Sequence, residues 1–116
     1  MDWVNKHLQI EPINTSIDPI FPVENAIITH AHADHAKPGH NNVLATKHTI
    51  EIMKIRYGEN CANNFQELSF NSPLNVNGVK VTFFPAGHIL GSAQVLLEYQ
   101  KDKINFTGDF KITKDD

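Results

Sequence analysis

Cysteine is nearly absent: Cys61 stands alone among 116 residues, so no internal disulfide can form and its thiol reads as buried or idle. Long apolar runs are missing too. None approaches the roughly 20 residues that a membrane-crossing helix needs. The segment Met1 to Gln9 mixes Asp2, Trp3 and Asn5 among its apolar residues and lacks the charged-then-apolar layout of a secretory signal, which makes the cytoplasm the default location and no membrane the expectation. Positive charge is scarce: ten Lys and Arg face thirteen Asp and Glu, for a net charge of −3. Modules that bind nucleic acid tightly usually show a basic face, so the balance weighs against one of those. It weighs less against an enzyme whose positive charge arrives with bound divalent cations, often the largest local charges in a site.

What is present fits one soluble globular domain. Hydrophobic residues make up 41% and charged residues 20%, spread in short runs separated by Asn, Pro and Gly. The length supports a single core and not two. No internal repeat or low-complexity tract interrupts it. Leu8 to Ile13 and Thr15 to Ile17 have strand-like composition broken by Pro12 and Asn14, and Ala26 to Thr29 is a short apolar run suited to a buried strand. Lys47 to Tyr57 places Ile50, Met53 and Tyr57 at helical spacing, with Thr46 as N-cap and Gly58 as stop. Leu74 to Val76 and Val79 to Phe84 flank Asn77-Gly78, a pair that accepts positive φ at both turn positions and so predicts a tight hairpin. Ala93 to Tyr99 and Lys103 to Thr107 bracket a second hairpin at Gln100 to Asp102. The order predicts an α+β chain, mostly antiparallel sheet, with one sheet and one clear helix packed on it.

Chemistry concentrates in one stretch. After the apolar run come His30-Ala31-His32-Ala33-Asp34-His35, four candidate metal ligands in six residues. Residues two apart on an extended chain share a face, so His30 and His32 can aim together while Asp34 and His35 continue round a turn toward a second position. Imidazole and carboxylate suit zinc, and also manganese or iron. Three imidazoles this close would repel one another when protonated and gain nothing obvious without a metal. His88, after Pro85-Ala86-Gly87, and Asp109, after Thr107-Gly108, stand where predicted strands end and loops begin, the usual place for functional side chains on a rigid sheet.

The ordered set His30, His32, Asp34, His35, His88 and Asp109 resembles the ligand set of the metallo-β-lactamase superfamily. Within it, the stretches Ile28 to Ala36, Ala45-Thr46, Pro85 to Gln94 and Gly108 to Lys111 are similar to the β-CASP nucleases. That branch includes RNA 3′-end processing endonucleases and DNA-repair nucleases, and the likeness extends to the bacterial ligase-associated DNA exonucleases and mRNA 3′-end processing factors. It runs from about Asp18 to Lys111. The resemblance implies the N-terminal half of an αββα sandwich holding two divalent metal ions, zinc or alternatively manganese. By the same resemblance His30, His32 and His88 hold the first metal, Asp34 and His35 the second, and Asp109 bridges both; Asp34 and Asp109 are the catalytic carboxylates. The implied reaction is cleavage of phosphodiester bonds in DNA or RNA by metal-activated hydroxide, with no protein nucleophile.

Asp18, before Pro19, either caps a turn or matches the family's buried aspartate that supports the metal loop. Lys37, His40 and Lys111 read as solvated surface, and His7 and His48 belong to no constellation. Gly87 and Gly91 let the backbone turn around His88. Only seven residues follow Asp109, where the family continues with a second sheet, a nucleic-acid-gripping cap and a final histidine ligand. Residues 1–116 are therefore expected to be a partial metallo-β-lactamase domain, with apolar sheet surface left for a missing C-terminal half or a dimer partner, and association with a DNA ligase follows from the family. Two alternatives stay open: another hydrolase of the same fold, acting on a thioester, lactone or small phosphodiester, or a non-catalytic metal-binding fragment.

Overall fold

A computed structural model describes residues 3–31, 36–86 and 92–106 in full, and 112–115 by their backbone. Two five-stranded sheets face each other. The first runs β1 (Gln9–Ile10), β2 (Thr15–Ile17), β3 (Asn25–Ile27), β4 (Asn42–Ala45) and β5 (Asn64–Glu67), in that spatial order. β1 and β2 pair antiparallel, and β2 to β5 are parallel. The second sheet is antiparallel throughout: β6 (Leu74–Val76), β7 (Val79–Pro85), β8 (Ala93–Tyr99), β9 (Asp102–Phe106) and β10 (Ile112–Asp115).

The first sheet needs a crossover to keep β4 and β5 parallel, and α1 (Lys47–Tyr57) supplies it. Thr46 caps its start, its hydroxyl accepting from the Thr49 amide at 3.4 Å, and Gly58 ends it at φ +96°. Thr49, Ile50 and Met53 face the sheet. After Asn25, β3 is buried on both faces: Ala26 packs toward Ile50 and Met53, while Ile27 packs toward the second sheet. Between the sheets lie Ile10, Ile17 and Ile27 against Val79, Val81, Phe83, Val95, Leu97, Ile104 and Phe106, each 1% exposed or less. Burying one such side chain stabilises by roughly 1.5–3 kcal/mol.

The helix stands at Lys47–Tyr57 as its periodicity dictates, and the Asn77-Gly78 turn has φ of +46° and +92°. The α+β class holds, but the single expected sheet is two. Strand composition says that a segment pairs, not with which neighbour or in which sense. Leu8 to Ile13 is also broken: Pro12 turns Glu11–Ile13 into a short 3-10 helix after β1. Each sheet covers the inner face of the other. Among the described residues, the exposed large apolar side chains are Ile20, Phe21 and Ile55. No described helix is long and apolar enough to cross a membrane.

Candidate metal centre

The parallel register of β2 and β3 sets Ile17 beside Ile27, so both strands run out at the same end of the sheet. There the Asp18 amide still bonds the Ile27 carbonyl at 2.9 Å, and the chain turns through φ +46° at Asp18, a left-handed conformation that Asp tolerates better than most residues. The turn aims the carboxylate back at the next strand. Oδ1 accepts from the Thr29 amide at 2.8 Å and Oδ2 from the Thr29 hydroxyl at 2.6 Å. The same hydroxyl lies 2.8 Å from His30 Nδ1. Asp18, Thr29 and His30 are 4%, 0% and 8% exposed, so this chain of polar groups is dry. Low dielectric strengthens each bond and makes each hard to lose. Of the two readings of Asp18, the contacts favour the supporting one.

Other elements grip the same spot. The Ala93 amide at the start of β8 donates to the Thr29 carbonyl at 2.7 Å, and the Ala86 amide donates to the Ser92 carbonyl at 3.0 Å, closing the segment between β7 and β8. From the last turn of α1, the Arg56 guanidinium donates to the Ala31 carbonyl in a short bond. Pro85 pairs with Ala93 and Val95 with Phe106, so the end of β7, the start of β8 and the end of β9 lie together at this end of the second sheet. The stems of all three motif segments, at Ala31, at Ala86 and Ser92, and at Phe106, therefore leave the sandwich from one end. In parallel sheets, ligand sites commonly lie at the carboxyl ends of the strands, and β2 and β3 end on this side.

Of the expected ligands, His30 is the one among the described residues, and it stands at this end. His32, Asp34, His35, His88 and Asp109 lie outside the described residues, as do Gly87, Gly91 and Lys111. Among the described residues no three His, Cys, Asp or Glu side chains gather as a metal site. His30 has its Nδ1 engaged by the Thr29 hydroxyl, an arrangement that is usual for imidazoles that ligate a metal through Nε2. Sequence reasoning passed over Thr29 and Arg56. A hydroxyl directly before the first histidine was the available signal for Thr29; nothing local marks Arg56.

His40 requires a correction, because it is 1% exposed and not a surface residue. Its Nδ1 accepts from the Val23 amide at 3.1 Å, while Nε2 is buried without a partner among the described residues. Burial pushes its imidazole below the ordinary value of 6.5. Cys61 is buried as expected, and burial raises its thiol.

Known proteins resemble the chain only in part of their length. No family model matches it. A probable DNA ligase of Opitutus terrae is 33% identical over 99 residues, covering 84% of the chain and 10% of that protein. An RNase J-like protein of Methanocaldococcus jannaschii is 30% identical over 111 residues, covering 75% of the chain and 25% of that protein. Among solved structures, CmlA, a diiron β-hydroxylase from Streptomyces venezuelae, superposes with a TM-score of 0.52 at 16% identity, over 77% of the chain and 21% of that structure. The chain thus spans a tenth to a quarter of these relatives, and the structural likeness speaks for the fold.

Proposed function

We propose that this chain, which belongs to the metallo-β-lactamase fold and to its β-CASP nuclease branch, is the metal-binding part of an enzyme that hydrolyses nucleic-acid phosphodiester bonds. The observation that carries the reading is His30, buried and oriented through Thr29 and Asp18, at the head of a motif whose other segments spring from the same end of the sandwich. The two relatives add support from the chemistry in their names, one a ligase of DNA and one an RNase-like protein, since joining and cutting both work on the phosphodiester linkage.

In this reading residues 1–116 are one part of a longer metallo-β-lactamase domain. His30, His32 and His88 would hold one divalent ion, zinc or manganese, Asp34 and His35 a second, and Asp109 would lie between them. The metals, when bound, supply an activated water and a counter-charge for the departing oxygen. The protein's own contribution is geometric. Asp18 and Thr29 fix the His30 ring, Arg56 holds the Ala31 carbonyl, and Ala93 locks Thr29 to the second sheet.

The test uses the longer protein, with labelled single- and double-stranded DNA and RNA in zinc and in manganese. Cleavage is expected to fall by about 10²-fold to 10³-fold or more in Asp109→Asn, in proportion to the loss of one well-placed electrostatic group. Elemental analysis after reconstitution at neutral pH accompanies it. Less than about half an equivalent of any transition metal would sink the assignment.

A further inference from the structure

We infer that Thr29 is a positioning residue that sets which nitrogen of His30 carries the proton, with Asp18 acting on the histidine through the Thr29 hydroxyl and not by direct contact. The inference rests on the metal-centre reading above for its purpose, but not for its geometry.

A proton count along the chain leads to it. A threonine hydroxyl has one proton to give and lone pairs to receive. The Asp18 carboxylate has none to give, and its Oδ2 lies 2.6 Å from Thr29 Oγ1, the short separation of a hydroxyl donating to a carboxylate. That bond uses the only proton of the hydroxyl. At the other contact, 2.8 Å from His30 Nδ1, the hydroxyl can therefore only accept. The proton between them belongs to the ring, so Nδ1 is N–H and Nε2 carries the lone pair. Free histidine favours the opposite tautomer, with the proton on Nε2, where it would block coordination. The other Asp18 oxygen is held at 2.8 Å by the Thr29 amide, so the carboxylate cannot swing away from the hydroxyl without giving up a second buried bond. Direction thus passes from carboxylate to hydroxyl to ring, and the ring arrives at the metal already in its coordinating form.

Ligating histidines usually receive this service from a carboxylate or a carbonyl bonded to the ring itself. Here a hydroxyl is interposed, which makes the device reversible by one atom. In Asp18→Asn the amide Oδ1 still accepts from the Thr29 amide, which leaves the Nδ2 side facing the hydroxyl as a donor. The hydroxyl must then turn its own proton toward His30 Nδ1, and the ring is driven to the Nε2–H form. A wrong tautomer from a carboxylate-to-amide change is a known way to lose function with geometry intact.

The experiment reads the His30 ring nitrogens by long-range proton–nitrogen NMR in metal-free protein, together with zinc affinity by competition with a chelator. Wild type and Thr29→Ser are expected in the Nδ1–H form. Thr29→Val and Asp18→Asn are expected to shift to Nε2–H and to bind zinc about 10-fold to 100-fold more weakly, the usual effect of losing a group that orients a ligand. Wild type in the Nε2–H form would overturn the inference, as would an unchanged tautomer in both Thr29→Val and Asp18→Asn. If the valine variant does not fold, Asp18→Asn decides alone, because an amide retains both contacts and a merely structural aspartate would lose stability without moving the ring proton. Should the tautomers behave as expected while no variant and no wild type binds zinc, the proton chain stands and the metal-centre reading fails.

Discussion

The first sheet is finished in opposite ways at its two ends. Where β3, β4 and β5 begin, Asn25, Asn42 and Asn64 stand in register and join through their side chains: Asn42 donates to Asn25 at 2.8 Å and Asn64 donates to Asn42 at 2.9 Å. Asn25 continues the row to the Asn14 carbonyl at 3.0 Å, and beside it Asn63, Asn41 and Glu24 form a second row. At the opposite end, just past β2 and β3, the polar groups are the Asp18 carboxylate, the Thr29 hydroxyl and the His30 imidazole. An amide both donates and accepts, so neutral amides in a row can satisfy one another without a charge among them. A carboxylate can only accept, and it therefore gives its chain a direction. The amide end can hold three parallel strands in register; the acid end can place a proton. The two ends thus differ in their polar groups, mostly amides at one and an acid, a hydroxyl and an imidazole at the other.

The contrast can be broken at either end. The largest effect is expected from Asp18→Ala, which leaves the Thr29 amide and hydroxyl buried without their acceptor. Hydrogen bonds to a charged group contribute roughly 1.5–3 kcal/mol each, so urea denaturation should show a loss of about 3–5 kcal/mol, and zinc affinity should fall with it. A loss under about 1 kcal/mol would mean that the carboxylate does not hold the loop. At the other end, Asn42→Ala removes neutral, half-exposed bonds and should cost about 1–2 kcal/mol while leaving zinc affinity as it was. Equal damage to metal binding from both variants would erase the division between the ends.

A smaller effect sharpens the comparison through pH. His40 is buried and neutral, and its folded value lies below the 6.5 of the unfolded chain. The unfolded state therefore takes up the proton first. The stability from keeping this ring neutral is whole above 6.5 and is lost as pH falls from there toward the depressed folded value. The slope cannot exceed about 1.4 kcal/mol per pH unit, the ceiling for one proton. In His40→Asn the side-chain oxygen can still accept from the Val23 amide, and the share of the acid slope between pH 6.5 and 5.5 that belongs to this residue should vanish. An unchanged slope would assign the acid sensitivity elsewhere.

Local signals account for what the residues foretold. The helix announces itself through Thr46, its apolar spacing and Gly58, all within one stretch, and the Asn77-Gly78 hairpin needs only the φ freedom of two neighbours. The metal motif is legible because His30 to His35 crowd ligand types into six residues. By contrast, Asn42–Ala45 and Asn64–Glu67 are short and start on asparagine, a residue poor in strand propensity. Their identity as strands comes from parallel partners and from the amide row, neither of which a window of sequence contains. β10 at Ile112–Asp115 is likewise decided by its partner β9. The burial of His40 escaped for the same reason, since the Val23 amide that receives it comes from another segment.

The single bond from the Ala93 amide to the Thr29 carbonyl makes the candidate centre a late arrival in assembly. Its two partners belong to different sheets and lie far apart along the chain, so the entropy of closing that long loop has to be met before the bond can form. Local pieces such as α1 and the Asn77-Gly78 hairpin can form earlier, while the histidine end waits for the sheets to dock. Once the sheets dock, exchange of the Ala93 amide proton reports the opening of the bond that joins them at this corner.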